Sequence, residues 1–323
     1  MQRREFIRLA GSAAAAWPLV VRAQQADSNV RIGILGPTLQ TVAAAANYKA
    51  FLDALGALGF NNGQNISVEY RQLDEPGAAT ALIRSHPTLI VALGSESALK
   101  AILSESHETP IVIAAINYDP VALGYVASLA RSGGNITGVA FEPIELAKKQ
   151  VELLTQAFPD RPKLGILWDD VSADQFNAAE GAAKLLNVEL LSLKLSNPPY
   201  DFSAAFRILA ERGAQKLLVL SSEYFATSRP LLAELEIKYR LPAMFIFKSY
   251  VEAGGLMSYG VPQAVMYRRA AGYVAKIIKG AKPAELPLER PSTFELVLNL
   301  KTAKALGIEM PQAILLRADE VIE

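Results

Sequence analysis

The sequence predicts an α/β protein made of two similar lobes, each built on a parallel sheet, facing each other across a cleft. Internal repetition is the first reason. Val30-Arg31-Ile32-Gly33-Ile34-Leu35-Gly36 is echoed by Pro162-Lys163-Leu164-Gly165-Ile166-Leu167-Trp168. Leu89-Ile90-Val91-Ala92-Leu93-Gly94-Ser95-Glu96 is echoed by Leu217-Leu218-Val219-Leu220-Ser221-Ser222-Glu223, and Pro110-Ile111-Val112-Ile113 by Pro242-Ala243-Met244-Phe245. Each stretch is a short apolar run ending in small or polar residues, the pattern of a strand buried on both faces that delivers functional residues at its carboxyl end. The second reason is length: 323 residues exceed what one hydrophobic core usually organises. The third is a regular alternation of strand and helix periods, which calls for a parallel sheet with helices on both faces.

Taken in order, Val30 to Leu35 is the first strand, and the helix from about Val42 to Leu58 ends at Gly59. Ile66 to Tyr70 alternates as a strand, Gly77 to Ser85 reads as a helix, and Leu89 to Leu93 is the next strong strand. Helix Ser97 to Ser106, strand Ile111 to Ile116 and helix Val121 to Ala130 follow, and Ile136 to Phe141 makes the first crossing to the second lobe. There the cycle restarts with helix Glu145 to Phe158, strand Lys163 to Leu167, helix Asp174 to Leu186, strand Glu189 to Lys194 and helix Ser203 to Arg212. Strand Lys216 to Leu220, helix Ser228 to Tyr239 and strand Ala243 to Phe247 complete it. Leu256 to Tyr259 is expected to return to the first lobe with helix Gln263 to Lys279. Thr293 to Asn299 crosses again and places helix Lys301 to Leu306 in the second lobe. Lobe one is thus residues 28–140 plus 251–290 and lobe two 141–250 plus 291–323, joined by a three-strand hinge that can bend without breaking either core.

Residues 1–23 stand apart as an export signal. Arg3-Arg4-Glu5-Phe6-Ile7 supplies a positive n-region, Leu9 to Val21 is apolar and alanine-rich, and Val21-Arg22-Ala23 offers a cleavage site, so the mature chain begins at Gln24. The arginine pair resembles a twin-arginine signal, with Gln2 where Ser or Thr usually stands. Cysteine is absent, so an exported fold rests on its core rather than on disulfides, and no lipidation cysteine follows the signal. These features place the mature protein free in a periplasm. Lys and Arg total 32 against 32 Asp and Glu, which leaves no electrostatic footprint for nucleic acid.

In open α/β sheets ligands bind beyond the carboxyl ends of the strands. The candidates in lobe one are Thr38, Ser95 with Glu96 and Ser97, and Asn117 with Tyr118. In lobe two they are Trp168 with Asp169, Ser222 with Glu223, and Lys248 with Tyr250. Ser95 and Ser97 sit where a strand runs into a helix, whose unpaired N–H groups and dipole favour an anion; Ser95 as a plain N-cap is the simpler alternative. Trp168 stands where the first repeat has Gly36, either as an aromatic cleft wall or as a core residue. Lys248 suits a ligand carboxylate and Glu223 an ammonium, and both suit inter-lobe ion pairs equally well.

Across its whole length the chain resembles the type I periplasmic substrate-binding proteins of ABC transporters, in the group that includes tryptophan and aromatic amino-acid binders. The likeness rests on the Arg3 to Ile7 signal followed by Ala13 to Gln25, on Tyr250-Val251-Glu252-Ala253-Gly254-Gly255-Leu256-Met257-Ser258-Tyr259-Gly260, on Tyr267-Arg268-Arg269-Ala270-Ala271, and on the ending Phe294 to Glu323. The chain departs from it at Val261-Pro262-Gln263, where an acidic residue often follows Tyr-Gly. The resemblance implies two Rossmann-like lobes and a monomer that closes on a small carboxylate-bearing solute and docks on a permease and ATPase in the inner membrane.

Catalytic chemistry has little support. His86 and His107 have no carboxylate or cysteine partner at metal-ligand spacing, so no metal is expected. There is no Gly-x-Ser-x-Gly elbow, no phosphate loop and no Gly-x-Gly-x-x-Gly, so no cofactor is expected either. The rival readings are a ligand sensor docking on a receptor and a two-lobed enzyme using Asp169, Glu223 and Lys248.

Overall fold

The computed structural model describes residues 30–141 and 143–323; residues 1–23, expected from the sequence to be an export signal, lie outside the described residues. Lobe one opens with β1 (Val30–Gly36), α1 (Val42–Ala57), β2 (Ile66–Gln72), α2 (Ala78–Arg84), β3 (Leu89–Gly94), α3 (Glu96–Leu103), β4 (Ile111–Ile116) and β5 (Ile136–Phe141). Lobe two follows with α4 (Ile144–Ala157), β6 (Lys163–Trp168), α5 (Ala173–Leu185), β7 (Glu189–Lys194), α6 (Phe202–Glu211), β8 (Lys216–Val219), α7 (Glu223–Ala226), α8 (Arg229–Tyr239), β9 (Ala243–Phe245), α9 (Lys248–Glu252) and β10 (Met257–Gly260). The chain returns to lobe one for α10 (Gln263–Ile278) and β11 (Leu288–Glu289), then ends in lobe two with β12 (Glu295–Asn299), α11 (Leu300–Leu306), α12 (Gln312–Leu315) and β13 (Glu320–Ile322).

The first five strands of the two sheets share one topology. Lobe one is ordered β2-β1-β3-β4-β5-β11 and lobe two β7-β6-β8-β9-β10-β12-β13. The three sequence echoes therefore pair β1 with β6, β3 with β8 and β4 with β9, strands that hold matching places in the two sheets. All pairings are parallel except β10 with β12, where the last crossing brings the chain in from the opposite direction. The central strands of lobe one are buried on both faces, with β3 and β4 enclosed along nearly their whole length. Helices cover both sides of each sheet, α1 and α10 packing together on one face of lobe one. At the junction the rings of Phe141, which ends β5, and Phe247 lie 6.1 Å apart, so apolar packing continues from one lobe to the other.

Two sequence expectations need correction. The return crossing does not begin at residue 251: β10 pairs with β9 and β12 in the second sheet, and the chain leaves lobe two only after Gly260. Symmetry supplies the reason, because β10 is the fifth strand of lobe two as β5 is of lobe one. The expected helix Val121 to Ala130 is instead a run of turns. The Asp119 carboxylate accepts from Val121 N (2.8 Å) and Ala122 N (3.2 Å), and Leu123 N bonds Asp119 O (3.1 Å). Gly124 then takes a φ of 77°, outside right-handed helical space, and the helix cannot propagate.

Candidate functional site

A cavity of about 650 Å³ opens between the lobes at the carboxyl ends of their strands. Lobe one contributes Pro37 and Thr38 after β1, Asp74 after β2, Ser95 after β3, Asn117 after β4, and Gln263 and Tyr267 from α10. Lobe two contributes the segment from Ser221 to Tyr224, then Arg229, Phe247 and Tyr250.

Local chemistry holds these residues in place. Thr41 caps α1 by accepting from Ala44 N at 3.2 Å, which orients the helix end that carries Asn47 toward the cavity. Beside it the Tyr70 hydroxyl donates to Pro37 O at 2.6 Å, and the Tyr70 ring lies 4.8 Å from Tyr48. Asn117 sits in the left-handed region at φ 67°, and its buried Oδ1 has no hydrogen-bond partner among the described residues. Asparagine is among the few residues that tolerate this backbone.

Ser222 is set more elaborately. Its hydroxyl caps α7 by accepting from Tyr224 N at 3.2 Å and donates to Asp169 Oδ2. Asp169 is fully buried and also accepts from Ser172 N (3.2 Å), Ser172 Oγ (2.9 Å) and the Tyr200 hydroxyl (3.3 Å). Burial, with the Asp169 carboxylate beside it, pushes the Tyr200 hydroxyl up to about 12. Next to this hub, Gln175 holds the Ser221 backbone from both sides, donating to its carbonyl and accepting from its amide, each at 2.9 Å. The lobe two rim is therefore preorganised by buried hydrogen bonds rather than by contact with lobe one.

Arg229 opens α8 with its guanidinium 5.3 Å over the Tyr250 ring, and Tyr250 stacks on Phe245 at 4.9 Å and 12°. Burial pushes the Tyr250 hydroxyl up to about 12 against the opposing pull of Arg229. The buried Arg229 Nε has no hydrogen-bond partner among the described residues. A polar contact spans the cleft: Ser97 Oγ of α3 donates to Glu223 Oε1 of α7 at 3.2 Å.

Of the residues expected from sequence, the cavity brings together Thr38, Ser95, Asn117, Ser222, Glu223 and Tyr250. Ser97 meets Glu223 across the cleft, and Asp169 stands behind Ser222. The other four lie away from the cavity lining. Trp168 stacks on Phe176 of α5 at 4.3 Å and donates to Ser192 Oγ at 2.8 Å, packing on its own lobe. Tyr118 is buried in the lobe one core. Burial works against an ionised Glu96, but the Tyr125 hydroxyl (2.7 Å) and Lys100 (2.9 Å) together hold its carboxyl below the usual range. Lys248 pairs with Glu320 at 2.7 Å and Glu252 at 3.6 Å, and the bond to Glu320 raises its ammonium above the usual range. Sequence reasoning missed Asp74, Arg229, Phe247 and Tyr267. Arg229 was readable from Ser228-Arg229-Pro230, a cation in the first turn of a helix whose dipole disfavours it there.

The sequence model of the family described as ABC transporter substrate binding protein matches residues 33–322. The chain belongs to this family. Substrate-binding relatives of known structure share its fold. An ABC domain from Streptococcus pneumoniae, in complex with L-Trp, superposes with a TM-score of 0.80 at 24% identity over 91% of this chain and 100% of that one. The ligand-free, open substrate-binding protein CD0873 of Clostridium difficile superposes at 0.67, with 22% identity over 90% of this chain and 99% of that one. The tyrosine-binding protein of Clostridioides difficile strain R20291 is 24% identical over 270 residues, 81% of this chain and 76% of that protein. As an ABC transporter substrate-binding protein, the chain has a family function of solute binding rather than catalysis. No helix among the described residues is long and apolar enough to cross a membrane.

Proposed function

We propose that this protein captures an amino acid with an aromatic or branched apolar side chain in the inter-lobe cavity and delivers it to an ABC importer. The observation that carries the reading is the cavity itself. Its volume of about 650 Å³ suits a small molecule, and Phe247, Tyr250 and Tyr267 give it an aromatic wall beside a few convergent charges. The tryptophan and tyrosine ligands of its relatives fit the same description.

Closure supplies the mechanism. Because the lining comes from both lobes, a ligand completes its contacts only when the lobes approach, and that differential affinity shifts the population toward the closed form. The closed monomer then docks on a permease and ATPase in the inner membrane. Residues 1–23 export the protein to the periplasm, where no cofactor is needed.

A thermal-shift screen of the purified protein against amino acids, aromatic acids, sugars and nucleosides tests this. Aromatic amino acids at a hundred times their dissociation constant are expected to add about 2.7 kcal/mol, a rise of roughly 4 °C. Stabilisation by a sugar or nucleoside, with amino acids inert, would sink the reading.

A further inference from the structure

Within the solute site just proposed, the direction in which an amino acid lies is open, and the sequence points to the wrong end. The strand-to-helix turn at Ser95 reads as the seat of the ligand carboxylate, since α3 starts there. In the structure that seat is already faced by negative charge. Glu223 reaches across from lobe two to accept from Ser97 Oγ at 3.2 Å. A ligand carboxylate arriving there would meet the like charge of Glu223, whereas an ammonium would meet an opposite one.

Arg229 offers the reverse. It lines the same cavity, makes no ion pair within 4.0 Å among the described residues, and leaves its buried Nε without a hydrogen-bond partner. The Phe245–Tyr250 stack packs against its guanidinium and the Tyr250 hydroxyl engages one of its donors, while the buried Nε stays open to a further acceptor. A cation in the first turn of α8 also opposes the helix dipole, and no acidic residue shares that turn with it. We infer that Arg229 anchors the ligand carboxylate while Glu223 receives the ammonium, so that the solute spans the cavity with its charges opposed to those of the lobe two rim. Selection for a zwitterion over the corresponding amine or acid follows directly. This rests on the reading of the cavity as the solute site.

The test is calorimetric titration, by competition where binding is weak, with L-tyrosine, tyramine (no carboxylate) and 3-(4-hydroxyphenyl)propionate (no ammonium). Arg229→Gln is expected to weaken L-tyrosine about 30- to 100-fold, the loss of a charged hydrogen-bond pair, and to leave tyramine within about threefold. Glu223→Gln should weaken L-tyrosine and tyramine and spare the propionate. Because Arg229 also packs on Tyr250, Arg229→Lys serves as a second variant. It keeps the charge, folds by melting temperature, and should lose about tenfold toward L-tyrosine only. Equal losses toward L-tyrosine and tyramine in the arginine variants would overturn the orientation alone. Failure of wild-type protein to bind L-tyrosine or L-tryptophan at all would overturn the solute reading, and the orientation with it.

Discussion

Alanine at Gly260 is expected to cost the fold at least about 3 kcal/mol, because an added Cβ would lie 1.9 Å from the carbonyl oxygen of Ile246. The clash is with backbone, so no side chain can swing away. Relief requires β10 to separate from the loop after β9, and β10 is hydrogen-bonded on both sides, to β9 and to β12. Gly260 is also the last residue of β10, separated from α10 by two residues, so the displacement would travel along the crossing segment to Gln263 and Tyr267 at the cavity. Urea denaturation of Gly260→Ala should show a markedly lower midpoint, together with weakened ligand binding in whatever fraction folds. A midpoint within experimental error of wild type would mean that the close approach of β10 to Ile246 is not a feature of the native protein.

The second large effect concerns Glu236, a fully buried carboxyl near the end of α8. One oxygen accepts from Ala243 N at 2.7 Å and the other from Leu256 N at 3.1 Å, which ties the helix to the starts of β9 and β10. Glu236→Ala would strand two buried amides and leave a small void, at an expected cost of about 3 kcal/mol. Burial pushes this carboxyl well above the usual carboxylate range, against the opposing pull of the two amides. The sign of its pH dependence follows. Above the ordinary value of 4.5 the unfolded chain has released the proton that the native protein still holds, so the native state binds more protons and loses stability as pH rises. The stability of wild type relative to Glu236→Gln is therefore expected to be highest in mild acid and to fall toward neutral pH. Denaturation midpoints of both proteins across that range would measure it, and a difference that rose with pH would reverse the assignment.

Much of the fold is legible in local chemistry. Leu89 to Leu93 and Ile111 to Ile116 are apolar at every position, which only a strand covered on both faces requires, and β3 and β4 lie there. What local pattern does not carry is the choice of sheet. Met257 to Gly260 reads the same whichever lobe it joins, and only its pairing with β9 and β12 decides. The same limit governs the site. The strand-end rule finds Thr38, Ser95, Asn117 and Ser222 because β1, β3, β4 and β8 all end at the cavity. It misplaces Trp168 because the ring folds back onto Phe176 of α5, a contact between residues that no spacing rule links. Arg229 escaped because the whole of α7 separates it from the end of β8, so it reaches the cavity only after that helix redirects the chain.

Capture by this protein requires that the solute occupy the space between the lobes. Ala44 lines that space from the first turn of α1 without contributing a charge or a hydrogen-bonding side chain, so Ala44→Trp would fill the cavity while leaving its chemistry in place. Calorimetric titration of wild type and Ala44→Trp with L-tyrosine should give saturable binding to the first and none to the second, at closely similar melting temperatures. Undiminished binding to Ala44→Trp would place the ligand outside the inter-lobe cavity.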